Sequence, residues 1–326
     1  MIFIEVDSMD PSVYFALEEY LCLEKKFTET CFFLWRTQPT VMLGNFQNSY
    51  KELNLPAIER DQVQVIRRNT GGGTIYTDPG SLQFSFVMPG QDDYINFTRY
   101  MDPIIAALAN LGIEATYNSR NDLAIAGKKI SGNAQCTKGN YTLHHGSLLY
   151  ATDFSKMADY LRPPAYKIEA KGIQSVRERT ANISQFLSEQ WSVAEFRQRL
   201  IHEILQQAVT TYTLTAEDYQ AIQTIADQKF RSWEWTYGKN PQFSFEKEQK
   251  FTGGYLEISL DVKAGRIQAC QLSGDFFSAG DVTELEAALM DQPFEKTSLT
   301  RVIDQPRFQQ LLYNISTQDI LACLFD

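Results

Sequence analysis

The sequence predicts a mixed α/β protein with a large N-terminal domain and a small C-terminal domain. The chain has 326 residues, which corresponds to about two domains at roughly 150 residues each. Apolar residues make up 44% of it and charged residues 21%, a globular balance that excludes a disordered chain. Short apolar runs typical of strands and longer segments with helical spacing both occur along the sequence. Together these observations indicate an α/β architecture.

The first 150 residues are predicted to be rich in strands. A helix is expected over residues 11–23, where Pro11 suits the first turn, and another over 102–111, ended by Gly112. Strands are expected at residues 2–6, 32–35, 40–43, 63–66, 82–88 and 143–150. Residues 123–125 and 129–131 are expected to pair as a hairpin that turns at 126–128.

The rest of the chain changes character twice. Helices are predicted over residues 193–209 and 216–230, followed by an aromatic, turn-rich stretch at 233–241. Two strands, 256–260 and 267–272, and three helical segments then close the chain. We therefore expect a large domain over residues 1–245 and a small α/β domain over 250–326.

Charge and cysteine content exclude several classes of protein. With 30 basic and 40 acidic residues, the net charge of −10 argues against non-specific binding to nucleic acid or to an anionic membrane. No stretch approaches the ~20 apolar residues of a membrane span, and no basic leader opens the sequence. The five cysteines are scattered without a CxxC pair, which favours free thiols in a reducing cytoplasm.

A run of three glycines follows an apolar strand and two arginines, Arg67 and Arg68. Gly71, Gly72 and Gly73 let the backbone approach a ligand closely and present N–H groups to an anion. The arginines add donors that suit phosphate or carboxylate. The structural alternative is a glycine-rich turn with solvated arginines. The spacing is neither that of a P-loop nor that of a Rossmann fingerprint.

The predicted hairpin contains two adjacent lysines, Lys128 and Lys129. Neighbouring side chains in a strand point to opposite faces, so only one of the two can enter a pocket. The small residues Ser131, Gly132 and Ala134 follow and leave room for a ligand beside an inward lysine. A surface hairpin with a solvated lysine tip is the alternative.

Two of the three histidines, His144 and His145, are adjacent in a predicted strand. Opposite directions are poor geometry for a shared metal ion, so a structural or ligand-contacting His145 is expected instead. Farther on, residues 167–182 carry four cations, Lys167, Lys171, Arg177 and Arg179. This segment is interpreted either as a mobile cover over an anionic ligand or as a solvated loop.

These features occur together, in this order, in lipoate–protein ligases, and the sequence resembles that family over nearly its whole length. Residues 67–78 resemble the family pattern RRxSGGGxVxHD, 121–135 resemble NDxxxxGKKxSGxAQ, 144–149 resemble HHGTLL, and 171–182 resemble KGIxSVRxRVxN. Residues 34–36 and 44–48 resemble LWR and GRxQN, and 232–238 resemble the segment before the family's C-terminal domain. Each block is weak alone, but the ordered set is specific.

The resemblance implies the mixed α/β catalytic fold shared by biotin and lipoate ligases, with a small accessory domain after it. It implies a reaction in which ATP adenylates the carboxylate of lipoate and releases pyrophosphate, after which a protein lysine attacks and releases AMP. The implied cofactors are ATP and Mg²⁺, with lipoate as substrate. The implied acceptors are the glycine-cleavage carrier protein and the lipoyl domains of 2-oxoacid dehydrogenases.

The resemblance also implies roles for single residues. Lys129 matches the family lysine that contacts lipoate and nucleotide, and it is the candidate catalytic residue. Arg68 and the glycine loop are expected to hold phosphates, and Asp122 is a candidate Mg²⁺ ligand. The full set of candidate binding residues is Arg68, Gly71, Gly72, Gly73, Thr74, Ile75, Tyr76, Asp122, Lys129, Ser131, Gly132, Ala134 and His145.

Four positions depart from the family pattern: Asn45 stands for Arg, Thr70 for Ser, Thr77 for His and Ser81 for Asn. The substitutions at Asn45 and Thr77 motivate one alternative, a sensor that binds lipoate or nucleotide without catalysis, although Lys129 and Arg68 are retained.

The second alternative is an octanoyl or lipoyl transferase on the same fold, which uses a cysteine thiolate and no ATP. The stretch before Asn121 contains no cysteine, and Cys136 does not match the expected position. A biotin ligase is disfavoured because the sequence GGGT differs from the arginine-containing glycine run of that family.

Overall fold

The computed structural model describes residues 1–90, 95–118, 121–161, 179–206, 210–238, 245–263 and 265–325, with the backbone alone at 50 and 51. The strands are β1 (Ile2–Ile4), β2 (Cys31–Trp35), β3 (Thr40–Leu43), β4 (Gln64–Arg67), β5 (Ile75–Thr77), β6 (Ser81–Pro89), β7 (Thr116–Tyr117), β8 (Asp122–Ile125), β9 (Lys128–Lys138), β10 (Tyr141–Leu149), β11 (Thr210–Tyr212), β12 (Phe245–Phe251), β13 (Gly254–Lys263) and β14 (Arg266–Gly274). The α-helices are α1 (Pro11–Tyr20), α2 (Ser49–Glu52), α3 (Leu55–Arg60), α4 (Thr98–Asn110), α5 (Phe154–Tyr160), α6 (Val193–Leu205), α7 (Ala216–Ile225), α8 (Trp233–Thr236), α9 (Val282–Leu289), α10 (Lys296–Ile303) and α11 (Thr317–Phe325).

An eight-stranded sheet in the order β11-β1-β2-β6-β10-β9-β8-β7 forms the centre of the large unit. Side chains alternate between its faces, so Phe84, Phe86 and Leu148 join one core, which α4 and α6 cover. Phe33, Val87 and their neighbours join a second core on the other face, where α1 packs. Asp10 caps α1 by accepting from the backbone of Ser12, with Pro11 in the first turn.

A second, three-stranded sheet in the order β4-β3-β5 belongs to the same unit. Its strand β3 pairs in parallel with β4 and antiparallel with β5, and α3 and α5 supply residues to the core beside it. The connection from β4 to β5 is residues 68–74, and the three glycines within it, residues 71–73, are called the glycine loop below. The two ends of this connection are therefore fixed in one small sheet.

The C-terminal unit has its own core. Strands β12, β13 and β14 form an antiparallel sheet, and α9, α10 and α11 contribute apolar residues to one cluster with it. This unit touches the large one through two phenylalanines that follow β14. Phe276 stacks on Phe46 with ring centroids 4.7 Å apart, and Phe277 meets Phe97 at 5.1 Å.

The predicted mixed α/β class, with a large unit and a smaller C-terminal one, is confirmed. The predicted hairpin is present as β8 and β9, and Ala126 and Gly127 at its turn both have the positive φ that a tight hairpin needs. Short elements such as β5, α3 and α5 were not predicted. The helix expected at 102–111 begins earlier, at Thr98, and includes Pro103.

Residues 167–178 of the predicted cover lie outside the described residues, as do residues 239–244 at the expected domain boundary. In the part of the chain that is described, no helix has both the length and the apolar character needed to cross a bilayer.

Candidate active site

Lys129 stands near the start of β9, with its ammonium group above the sheet at Gly132. Nζ is 2.7 Å from Oδ1 of Asp122, and a Cβ atom added to Gly132 would lie 2.9 Å from Nζ. The side chain is half-buried, at 35% exposed, whereas Lys128 is exposed. Glycine at 132 therefore makes room for the lysine, and the two lysines separate as their alternation predicts.

A β-bulge gives Lys129 this direction. Asp122 pairs with Gly132 and Leu123 with Ser131, but Ala124 pairs with Lys129, so one extra residue lies in β9. Lys129 and Gly132 are three positions apart, and in a regular strand an odd separation puts two side chains on opposite faces. The extra residue restores them to one face, together with the carboxylate of Asp122.

The sheet beside the ammonium group carries small and polar residues. The register puts Ala134 opposite His145, and His145 opposite Ser85, so the three share one face. Ser131 points the other way, where Asn133 Nδ2 donates to its hydroxyl at 3.2 Å. Gly132 and Ala134 thus lie on the face that a ligand would follow, whereas the side chain of Ser131 does not.

The glycine loop packs against the C-terminal unit. The N–H of Gly72 donates to the carbonyl of Phe276 at 3.0 Å, and φ of Gly72 is +90°. A Cβ atom at Gly71 would lie 2.2 Å from that same carbonyl oxygen, whereas the nearest atom to one at Gly73 is 3.8 Å away. Close backbone packing therefore requires Gly71, the positive φ favours glycine at position 72, and of the three only Gly73 would accept a Cβ atom without a close contact.

Both arginines before the loop are buried and use their donors on backbone and loop groups. Arg67 donates to five carbonyl oxygens, those of Gly44, Asn45, Gln47, Trp235 and Thr236, at 2.5–3.2 Å.

Arg68 donates to the carbonyls of Met42, Gly71 and Gly73 and to the hydroxyl of Thr70 at 2.8–3.1 Å. Burial lowers the pKa of both guanidinium groups to about 10. The solvated arginines of the structural alternative are excluded. Arg68 braces the loop here, so binding a phosphate would require it to exchange partners.

Residues 74–76, which follow the glycine loop, are fixed by side-chain contacts. Thr74 donates its hydroxyl to Oε1 of Gln47 at 2.7 Å, and the N–H of Gly44 donates to the same oxygen at 2.9 Å. The ring of Tyr76 is buried against Tyr160, and Ile75 packs on the apolar core. Backbone groups are therefore what residues 75 and 76 can offer to a nucleotide. Gln47 belongs to the segment 44–48 that resembles GRxQN, but its contact with Thr74 was not predicted from the sequence.

The two histidines occupy different surroundings. His145 contacts Thr70 through Nε2 at 2.8 Å and Glu18 through Nδ1 at 3.0 Å. His144 lies on the opposite face, stacked on Tyr100 with ring centroids 4.6 Å apart, and burial holds its pKa well below the usual range. The expected opposite directions are present. Glu18 is a residue that sequence reasoning missed.

The departures from the family pattern fit their surroundings. The hydroxyls of Thr77 and Ser81 are 2.8 Å apart, and Gln83 Nε2 donates to both, so these two substitutions pair with each other. Asn45 Nδ2 donates to the carbonyl of Asn69 at 3.0 Å. Asn45 thus holds the backbone of Asn69, between the two arginines and the glycine loop.

The last residues of the fourth sequence block, 171–182, contact strand β9 at Lys129. The N–H of Ala181 donates to the carbonyl of Lys129 at 2.9 Å, and Oδ1 of Asn182 accepts from the backbone of Thr152. The described residues contain no group of three or more His, Cys, Asp or Glu side chains placed to hold a metal ion. Asp122, the candidate Mg²⁺ ligand, is paired with Lys129.

Two family models match the chain. Residues 10–205 match the model of the lipoyl protein ligase A/B catalytic domain, and residues 240–324 match that of the bacterial lipoate protein ligase C-terminus. The chain is 35% identical to lipoate-protein ligase LplJ of Bacillus subtilis over the whole of both proteins. The chain belongs to the lipoate–protein ligase family.

Two solved structures share the fold. LipL1 of P. falciparum, in complex with lipoate, superimposes with a TM-score of 0.81 at 24% identity, covering 99% of this chain and 97% of that one. Lipoate-protein ligase A bound with ATP superimposes with a TM-score of 0.61 at 24% identity, covering 73% of this chain and 98% of that one. The fold expected for a lipoate ligase is therefore present in this chain.

Proposed function

We propose that this lipoate–protein ligase activates lipoate with ATP to lipoyl-AMP and then transfers the lipoyl group to a lysine of an acceptor protein. The observation that carries the proposal is the ammonium group of Lys129, which lies above Gly132 and 2.7 Å from Asp122. A fixed cation beside small residues suits a ligand with an apolar chain and an anionic end. Among solved structures that share this fold, LipL1 of P. falciparum is in complex with lipoate and lipoate-protein ligase A is bound with ATP.

In the first step, an oxygen of the lipoate carboxylate attacks the α-phosphorus of ATP, and the bond to pyrophosphate breaks. Two anions must approach each other, so a cation between them lowers the barrier. Lys129 fulfils this role when its ammonium group turns from Asp122 to the substrate oxygens. Gly73 is the loop glycine at which an added Cβ atom would meet no close contact, and there the backbone can approach the nucleotide.

In the second step, the amine of the acceptor lysine attacks the acyl carbon, an amide bond forms, and AMP leaves with the electrons of the broken C–O bond. Lys129 remains beside the phosphate and stabilises the charge that returns to it. We propose the glycine-cleavage carrier protein and the lipoyl domains of 2-oxoacid dehydrogenases as acceptors. We also propose a cytoplasmic location, which free thiols at all five cysteines support.

The residues present fit a magnesium ion that binds together with the nucleotide rather than one bound by the protein alone. Asp122 offers one carboxylate, and the described residues form no larger ligand group around it. Mg²⁺ usually keeps several waters and binds through substrate phosphates with one or two carboxylates. When bound, it would neutralise phosphate charge, with Asp122 as its protein ligand.

The cysteines disfavour the transferase alternative, which needs a thiolate. Burial raises the pKa of Cys31 and Cys136 to about 12 and that of Cys323 to about 11. Burial also raises the pKa of Cys22 and Cys270. A thiol with so high a pKa is protonated at neutral pH and is a poor nucleophile.

The test is an incubation of the protein with lipoate, Mg²⁺ and an apo-acceptor, with the acceptor's intact mass as readout. We expect a lipoyl adduct with ATP and none without it. Transfer of an acyl group from an acyl-carrier donor in the absence of ATP would replace the ligase by the transferase. Binding of lipoate and ATP with no adduct on any acceptor would favour the sensor.

A further inference from the structure

A buried carboxylate in α1 is connected to the glycine loop. Glu18 has no exposed surface, although it lies among apolar residues of the core on that face of the sheet. Its Oε1 accepts from the hydroxyl of Ser85 at 2.7 Å and from Nδ1 of His145 at 3.0 Å. A buried charge costs stability, and an apolar residue of similar volume often does better at such a position. Core stability alone therefore does not account for Glu18.

The contacts continue from His145 to the loop. Nε2 of His145 is 2.8 Å from the hydroxyl oxygen of Thr70, which also accepts from Nε of Arg68 at 3.0 Å. Arg68 then donates to the carbonyls of Gly71 and Gly73 at 2.8 and 2.9 Å. Because Arg68 donates to the Thr70 oxygen, the Thr70 proton can point to Nε2. This assigns the His145 proton to Nδ1, where it is donated to Glu18.

We propose that Glu18 and His145 are positioning residues, which hold Thr70 and Arg68 and thereby fix the glycine loop in the conformation that receives the nucleotide. The inference rests on the proposed function for its nucleotide. The chain of contacts has an anion at one end, Glu18, and a cation at the other, Arg68, so each end favours the polarity of the bonds between them. The loop is thus tied to a helix that lies outside the family motifs quoted above.

Two pairs of variants test the hydrogen bonds. Thr70→Val removes the hydroxyl at similar volume, and Thr70→Ser retains it. Glu18→Leu removes the acceptor, and Glu18→Gln retains an oxygen that can accept from His145. Asp218→Asn is the matched control, since Asp218 is another buried carboxylate, bonded to Tyr20, Lys25 and Tyr212 rather than to the loop.

We expect Thr70→Val and Glu18→Leu to raise the KM for ATP in pyrophosphate release by about tenfold or more, the loss that an unpaired buried group causes. The conservative variants should retain most of the affinity, and Asp218→Asn should change Tm but not KM. The double variant Glu18→Leu/Thr70→Val should have a KM no higher than that of the more impaired single variant, because both substitutions break the same chain of hydrogen bonds. Additive effects, or a KM unchanged by Thr70→Val, would overturn the inference.

A second measurement does not depend on turnover. With only three histidines in the chain, ¹⁵N-histidine spectra can report the His145 tautomer. We expect protonated Nδ1 in the wild type and a changed signal in both Thr70→Val and Glu18→Leu. If the wild type fails to use ATP while the spectra behave as expected, the proposed function is wrong and the connection to the loop stands. A His145 signal that ignores both substitutions refutes the connection itself.

Discussion

Replacing Lys129 by alanine tests the proposed active site most directly, because Lys128 provides a neighbouring control of the same charge. Lys129 Nζ lies 2.7 Å from Asp122 Oδ1, so the ammonium group is already held in a fixed place by an anion. In Lys129→Ala that cation is lost, and its attraction for the phosphates and the lipoate carboxylate is lost with it. Lys128 is exposed, and its loss removes one solvated charge.

The magnitude follows from Coulomb's law. Two unit charges about 4 Å apart interact by about 4 kcal/mol at the effective dielectric constant of ~20 near a protein surface, and by about 1 kcal/mol in bulk water. Lys129 is 35% exposed without ligand, and a bound nucleotide would cover it further, so the larger figure applies to the reacting complex. At ~1.4 kcal/mol per factor of ten, adenylate formation should slow by about a thousandfold.

Pyrophosphate release in the presence of lipoate measures this step, with hydroxylamine trapping of the acyl-adenylate as a second readout. Lys128→Ala should change the rate by less than about twofold, as expected for a screened surface charge. Thermal unfolding of both variants excludes a folding defect. Equal losses in the two variants, or a Lys129→Ala rate within about tenfold of wild type, would refute the role given to Lys129.

Three further predictions concern the loop, acid stability and the thiols. Gly71→Ala should lower the free energy of unfolding by about 1–3 kcal/mol because its Cβ atom would lie 2.2 Å from a carbonyl oxygen, whereas Gly73→Ala should leave Tm unchanged and weaken ATP binding in calorimetry. Burial raises the pKa of Asp218, but its hydrogen bonds lower the pKa by more, so that the folded-state pKa lies below the ordinary 3.8. The stability that the ionised Asp218 contributes is therefore lost as the pH falls, and Asp218→Asn should show a smaller acid-induced drop in Tm. Iodoacetamide at about pH 8 should label none of the cysteines of the native protein rapidly, since thiols such as the buried Cys31 and the partly exposed Cys136 have pKa values of about 12. Rapid labelling of Cys136 would reopen the transferase alternative.

Strand alternation predicts that only one of Lys128 and Lys129 enters a pocket, and the family resemblance assigns that role to Lys129, but neither predicts how the side chain is directed. Alternation separates Lys128 from Lys129, and that separation is observed. The position of Nζ above Gly132 depends on the bulge between β8 and β9. The sequence of residues 128–132 does not predict that one strand contains an extra residue. A bulge is decided by pairing with the neighbouring strand, so it is a tertiary feature that a linear pattern cannot contain.

Glu18 was missed for a related reason. In the sequence it is one acidic residue of an N-terminal helix, and most such residues are solvated. Its position in the buried core appears only when α1 is packed on the sheet beside Ser85 and His145. The signal available in the sequence was its neighbours, Phe15, Ala16 and Leu17, which are apolar on every side of one helical turn. An acid in such a segment has to be buried or to interrupt the apolar surface.

The glycine loop shows how one motif can have two physical causes. The three glycines were interpreted as an anion cradle, yet Gly71 is required by the nearby carbonyl of Phe276, and Gly72 by its φ of +90° and the ring of Phe277. The Gly72 N–H also donates to the Phe276 carbonyl at 3.0 Å. A phosphate that takes this N–H must displace the Phe276 carbonyl, so binding there competes with packing of the C-terminal unit. Gly73 has no such contact. Its substitution therefore separates the two causes, because packing predicts no change in stability and a nucleotide contact predicts weaker binding.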